Sequence, residues 1–304
     1  MIIECIKEGF RITNKNWQVV LLQVIVLVIN FVCFFLFIGI PIVLAIASLG
    51  MDIAYTKDIL SGLFENPAEL FSKYLGLAIL IFTSFTFYLI LASVLILYAF
   101  AGMLGVLSKA ALNKEYKFSF HSFFEEAKRF FSPLLWLFSF AILIVIVVFI
   151  VFGVLAGILI SFSETSPPVS LFITYFLGLL GIAIGFASAI LSAYAAIVLV
   201  VEKGKVISAF KNALNFIKHK PFAFLFYIIL IVGIIAVNIV LITLGISFSA
   251  VPVIGILAAV LFQIMINIVQ SYLIVVMWGS LVAFYIKSMH QPLHPTAVVH
   301  TYNI

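Results

Sequence analysis

Charged residues interrupt this chain at only a few places, and the stretches between them are apolar on every side of any helix they could form. Six such runs occur, at about 17–49, 74–107, 133–160, 169–201, 221–247 and 251–286. Each is longer than the roughly 20 residues that an α-helix needs to cross a hydrocarbon core about 30 Å thick. The expected fold is an all-α integral membrane protein with six transmembrane helices, forming a single transmembrane domain over residues 1–304. Several runs are too long to be only a straight span, since 34 residues of helix measure about 51 Å and a tilt of up to about 40° does not absorb that. The long runs are therefore expected to kink or to continue past the membrane surface. In the first run the break is expected at Pro41, which lacks a backbone donor and crowds the preceding turn, leaving 42–49 too short to cross again.

The placement of Lys and Arg orients the spans. With a cytoplasmic N-terminus, the cytoplasmic segments hold Lys7, Arg11 and Lys15, then Lys109, Lys114, Lys117, Lys128 and Arg129, then Lys203, Lys205, Lys211, Lys218 and Lys220, and finally Lys287. That is fourteen of the sixteen basic residues, and the other two, Lys57 and Lys73, share the 52–73 loop with Asp52, Asp58, Glu65 and Glu69. Both termini are expected in the cytoplasm. The first fifteen residues carry Glu4 and Glu8 and have no small-residue cleavage site, so the first span is not read as a cleaved signal peptide.

The segments ahead of the odd-numbered spans share a pattern of their own. Phe120, Phe123, Phe124, Ala127, Phe130 and Phe131 recur at helical steps, with Glu125, Glu126, Lys128 and Arg129 on the other face. Val206, Phe210, Ala213, Leu214 and Ile217 repeat the arrangement opposite Lys211, Asn212, Asn215 and Lys218, and Ile3, Ile6 and Phe10 repeat it opposite Glu4, Lys7, Glu8 and Arg11. A basic residue beside an aromatic or Pro then opens each span, at Trp17, Pro133 and Pro221. The chain thus reads as three parallel-repeat hairpins, each preceded by a cytoplasmic interfacial amphipathic helix, at about 1–108, 117–204 and 205–288, with a tail at 289–304.

Two stretches carry a family likeness: Ala209-Phe210-Lys211-Asn212-Ala213-Leu214, then Phe216-Ile217-Lys218-His219-Lys220-Pro221 running into its apolar span. In these the chain resembles the membrane domain of some glycerophosphodiester phosphodiesterases and related six-span prokaryotic membrane families. By motif the likeness covers about fifteen residues and includes no phosphodiesterase catalytic domain, so it implies architecture and no activity.

Composition agrees with the pattern: 66% of residues are hydrophobic, 9% are charged and the mean hydropathy is +1.37, against about 25% charged in soluble domains. The net charge of +5 marks topology, since no basic run interleaved with base-stacking aromatics points to nucleic acid. Cys5 and Cys33 differ in expected depth and are not expected to pair.

Chemistry is sparse within the spans. No Asp, Glu, Lys, Arg or His falls in their central parts, which weighs against a carboxylate proton relay, a voltage sensor or a charged filter. Gln263, Asn267 and Gln270 share one face of the sixth span, and Asn238 in the fifth and Gln23 with Asn30 in the first are expected to meet them. Such groups either bond between helices or line a polar cavity. Gly153 with Gly157, and Gly181, Gly185, Ala189 and Ala193, form small-residue ridges that are expected to pack the third and fourth spans together or against another subunit. His290, His294 and His300 lie in a tail broken by Pro292 and Pro295 with no carboxylate or Cys beside them, so no metal is expected. No phosphate loop, zinc pattern or nucleophile elbow occurs, and no cofactor is expected.

The resulting expectation is a non-enzymatic scaffold or accessory subunit of a prokaryotic inner membrane. Lys128, Arg129, Lys211, Lys218, Lys220 and Trp17 would contact lipid headgroups, a membrane-protein partner or a second copy. The alternative is a transporter or permease for a neutral or amphipathic small molecule, using the polar face of the sixth span. An enzymatic reading would need acidic residues converging at one interface, as Glu65 and Glu69 could.

Overall fold

The structure, a computed structural model, describes residues 1–48, 75–162, 167–249 and 254–290. The acidic and basic residues of the 52–73 loop, and His294 and His300 with the rest of 291–304, lie outside the described residues. Among the described residues there are nine α-helices and no strand: α1 (Ile2–Lys15), α2 (Gln18–Phe34), α3 (Ile40–Ser48), α4 (Leu75–Leu112), α5 (Phe120–Phe162), α6 (Pro167–Glu202), α7 (Val206–His219), α8 (Phe222–Ser249) and α9 (Ile254–His290). Six stretches of helix are long and apolar enough to cross a membrane: Gln18–Leu44, Ile79–Leu112, Phe120–Leu159, Thr174–Glu202, Phe222–Gly245 and Leu261–Met289. They fall on the six runs read from the sequence.

The described residues form two compact units, 21–99 and the chain on either side of it. In the smaller unit α2 and α4 run antiparallel. Gln23 Nε2 donates to Ala99 O at 3.4 Å, and farther along Phe34 meets Tyr88 edge to face at 5.5 Å and Phe37 meets Phe87 at 5.0 Å. Between α2 and α3 lies a π-helical turn, Phe35–Gly39, in which the N–H of Ile40 reaches Phe35 O five residues back. The widened turn just ahead of Pro41 accommodates a ring that would crowd a regular α-turn. The chain therefore stays helical through Pro41, and the expected break takes the form of this bulge.

The larger unit is closely packed at one end, where the long helices α4, α5, α6 and α9 meet α1 and α7. Leu104, Leu107, Leu134, Leu137, Ile197 and Phe226 are fully buried there. Ring contacts close the centre: Phe216 of α7 lies 4.9 Å from Tyr285 and 5.4 Å from Tyr194, and Phe284 stacks on Phe226 at 4.7 Å. Away from that end the helices present Ile, Leu, Val and Phe outward, as Phe149, Ile150, Phe172, Ile239 and Leu261 do.

Three helix contacts organise the packed end. α1 runs antiparallel along α9: Glu4 lies 3.9 Å from Lys287, Gly9 sits on Gly279, and Tyr272 donates to Asn14 at 2.7 Å. The start of α5 lies on α4, with Phe123 against Gly102 and Glu126 against Gly105. α7 lies on α6. α5 does not begin afresh at Pro133 but runs through it as one helix of 43 residues, about 64 Å long. The missing hydrogen bond costs about 3 kcal/mol, and burial of Phe130, Leu134 and Leu137 on either side offsets it.

The faces that pack coincide only in part with the apolar stripes read from the sequence: Phe123, Ala127 and Phe130 of α5 and Ala213 of α7 are buried, whereas other members of the stripes are not. α1 buries Cys5, Gly9, Ile12 and Thr13, while Ile3 and Phe10 stay exposed. α7 buries Ala209, Ala213 and Phe216 and leaves Leu214 out. In α5 Phe120 and Phe124 are exposed, and Glu126, placed on the polar face by its charge, is 4% exposed. Small side chains face the neighbouring helix because they let the backbones approach. The spacing of Gly9 is the tightest case: a Cβ there would stand 2.0 Å from Ser280 Oγ and 2.8 Å from the carbonyl oxygen of Val276. By contrast α5 and α6 pack together without using Gly153, Gly157 or Gly185, each of which has open space around it.

Gly9→Ala is therefore expected to destabilise the protein by about 1–3 kcal/mol through overpacking against α9. Gly153→Ala, where a methyl meets nothing, is expected to be neutral or to stabilise by up to about 1 kcal/mol from helix propensity. Thermal unfolding of the two variants in one detergent, followed by tryptophan fluorescence, checks the opposite signs.

Candidate functional site

Four of the polar residues of α8 and α9 are arranged as bonded pairs. Gln270 Nε2 of α9 donates to Asn238 Oδ1 of α8 at 2.7 Å, and Asn238 Nδ2 donates back to Ile234 O of its own helix at 3.0 Å. Gln263 Nε2 reaches Asn267 Oδ1 at 3.4 Å within α9. The expected meeting of the fifth and sixth spans thus occurs, through one residue of each. Gln23 and Asn30 belong to the smaller unit, where Gln23 bonds to Ala99 O and Asn30 Oδ1 is enclosed without a partner.

The basic residues chosen from the sequence lie on the surface of α5 and α7. Lys128, Arg129, Lys211 and Lys218 are exposed, Lys220 is half-buried, and none of the five enters an ion pair among the described residues. Arg129 lies 5.4 Å from the ring of Phe130. Trp17 is exposed at the turn between α1 and α2. Exposed apolar residues accompany the charges of α7 at a spacing of about two turns, at Ile207, Leu214 and Phe222 along α7 and the start of α8, and Ile3, Phe10 and Trp17 are exposed at the same spacing along α1 and the turn after it. The helices α1 and α7 therefore have one face locked into the protein and another that offers apolar side chains beside cations.

Two polar joints that sequence reasoning missed hold these helices in place. Glu126 of α5 is buried and pairs with Lys109 Nζ of α4 at 2.6 Å, and the same ammonium donates to Ser122 Oγ at 3.1 Å, which also receives the Tyr116 hydroxyl at 3.0 Å. Glu202, the last residue of α6, accepts from Asn212 Nδ2 of α7 at 2.7 Å through one oxygen and from the Tyr285 hydroxyl of α9 through the other. Directly after it the chain turns at Lys203, whose φ of 53° is the left-handed conformation that ends helices. Both joints lie at the edge of an apolar span, where the sequence offers a signal for each: at Glu126 a carboxylate one position before the small residue Ala127, and at Glu202 the one charge of α6, on its last residue. Tyr194, fully buried, donates to Ala223 O at 2.8 Å and ties α6 to α8.

Cys5 and Cys33 are both free. Cys5 lies in the α1–α9 seam, where burial pushes its thiol above the ordinary range against the pull of the Lys287 ammonium. Among the described residues no group of His, Cys, Asp and Glu is placed to hold a metal ion.

Lys109→Ala leaves the Glu126 carboxylate buried without its cation and is expected to cost about 1.5–3 kcal/mol. Adding Glu126→Gln to that variant should return part of the loss, read as a coupling in a double-mutant cycle of thermal unfolding. Because the thiolate is the reacting species and a raised pKa depletes it, Cys5 should resist maleimide at pH 8 until the protein is unfolded. Mass spectrometry of the labelled Cys5 peptide checks this.

Comparison of the chain with known protein families, with curated proteins and with solved structures found no match.

Proposed function

We propose that this chain is a non-enzymatic scaffold or accessory subunit of a cell inner membrane, with both termini cytoplasmic, that binds membrane lipid or a membrane-protein partner. In this reading it is built as three parallel hairpins, each preceded by an interfacial amphipathic helix, an architecture resembling the membrane domain of some glycerophosphodiester phosphodiesterases. Packing supports the repeat. Gly9, Ala127 and Ala213 are all buried, and each has a buried residue four positions before it (Cys5, Phe123, Ala209) and three after (Ile12, Phe130, Phe216). The first helix lies on the last span, the second on the second span and the third on the fourth, so each rests on an even-numbered span and the series closes on itself.

The observation that carries the function is the outer surface of α7, where Ile207, Leu214 and the following Phe222 stand exposed on a segment that also carries Lys211 and Lys218, exposed and without an ion pair among the described residues, with Ile3 and Phe10 of α1 and the following Trp17 exposed on a segment that carries Lys7. An apolar row beside Lys and Arg suits the boundary between acyl chains and anionic headgroups, or a partner that offers the same chemistry. The permease reading keeps less support, because on the polar face of the sixth span Gln263 is bonded to Asn267 and Gln270 to Asn238 of the fifth.

Native mass spectrometry of the full chain in mild detergent tests this. Bound phospholipid or a stoichiometric protein partner is expected, and a retained polar small molecule in their place would favour the permease. Replacing Lys211, Lys218 and Lys220 by Glu together should weaken retention of anionic lipid by roughly a hundredfold, at about 1 kcal/mol for each basic residue.

A further inference from the structure

Between the third, fourth, fifth and sixth spans lies a groove of about 350 Å³, within the roughly 300–1,000 Å³ of small-molecule sites. Its floor is the small-residue ridge of α6: Gly185, Ser188, Ala189, Ser192 and Ala193. A ridge of this kind normally accepts a neighbouring helix, but a Cβ built on Gly185 meets nothing within 4 Å. Phe138, Ile142 and Ile146 of α5 form one wall, and Tyr227 of α8 and Trp278 of α9 close the other side. Every lining residue belongs to a membrane-spanning stretch. The rim is continuous with the outward apolar surface, since Ile142 is 59% and Ile146 49% exposed.

The groove is graded along its length. Phe138, Ser192, Tyr227 and Trp278 lie about 10–15 Å of helix from the charged residues Arg129, Glu202, Lys220 and Lys287, whereas Ile146 and Gly185 lie about 25 Å from Arg129 and Glu202. The polar atoms are therefore at the end nearer the basic surface, and the far end is hydrocarbon. Ser192 Oγ is spent on Ser188 O at 2.7 Å, but among the described residues the Tyr227 hydroxyl and the Trp278 ring N–H donate to no protein group. A glycerolipid has the same order: ester oxygens beneath a headgroup, then a methylene chain extending about 15 Å to the bilayer midplane, half of a core about 30 Å thick.

We propose that this groove holds one acyl chain of a phospholipid from the leaflet at the basic end, with Tyr227 and Trp278 donating to its ester oxygens. This rests on the reading of the chain as a lipid-contacting protein and goes further in naming a site with a fixed orientation. The probe is a phosphatidylglycerol carrying a photoreactive diazirine in one acyl chain, mixed into phosphatidylethanolamine and phosphatidylglycerol vesicles that contain the full chain. After illumination, mass spectrometry should find adducts on 138–146 and 185–193 several-fold above those on 174–182, although that stretch is more exposed than 185–193. Gly185→Leu, which fills the groove where space is open, should abolish that excess, and Gly153→Leu, equally open but outside the groove, should preserve it. Tyr227→Phe should lower the excess by roughly two- to tenfold, the value of one hydrogen bond. Uniform labelling of all exposed segments, an excess that survives Gly185→Leu, or protein–protein cross-links from a photoreactive residue at position 189 in place of lipid adducts would each overturn the site. Failure of the broader reading looks different: no phospholipid, and a polar solute instead, would accompany the purified chain.

Discussion

Apolar helices gain nothing by leaving lipid for one another, so a bundle of them coheres only where backbones can touch or where polar groups find partners. In the larger unit both kinds of contact gather at one end. Gly9 and Gly279 bring α1 onto α9, Gly102 and Gly105 admit Phe123 and Glu126, and Glu202 joins three helices through its two oxygens. Farther along the helices the side chains are large, aliphatic and turned outward. Among its described residues the larger unit is thus tight where its charges are and open where they are not, and the open part is where a groove can persist.

In the proposed repeat, each copy meets the same geometric problem with different chemistry. One position before the central small residue stand Glu8, Glu126 and Asn212. Glu126 turns to a lysine of the preceding span, Asn212 to a glutamate of the preceding span, and Glu8 to Arg11 of its own helix. The seam that lacks a polar joint at this position is the one with the closest backbone approach, at Gly9. Polar bonding and close packing act as substitutes at equivalent places.

The six spans were legible because length and hydrophobicity alone define them, and nothing in their neighbours could change that answer. The Gln270–Asn238 bond was legible for a related reason: amides are scarce in these helices and find one another. The packed faces of α1 and α7 were not. Hydrophobic periodicity ranks Ile3 and Phe10 above Cys5 and Gly9, whereas helix contact in lipid favours the smaller side chain. Glu126 was misplaced for the complementary reason, since its neutralising lysine is seventeen residues away on another helix and a period within α5 cannot see it. Pro133 read as a boundary because local backbone cost was visible and the surrounding burial was not.

The seam between α1 and α9 joins positions 270 residues apart, Gly9 and Gly279. At a synthesis rate of about 5–20 residues per second, α1 is made roughly 14–54 seconds before the surface it will cover. During that interval its enclosed atoms, the Thr13 hydroxyl and Asn16 amide among them, must be held where water is still within reach. The polar character of α1 is then a requirement of the order in which the chain is born as much as of its final place, and the sixth span ends that wait by covering the first helix.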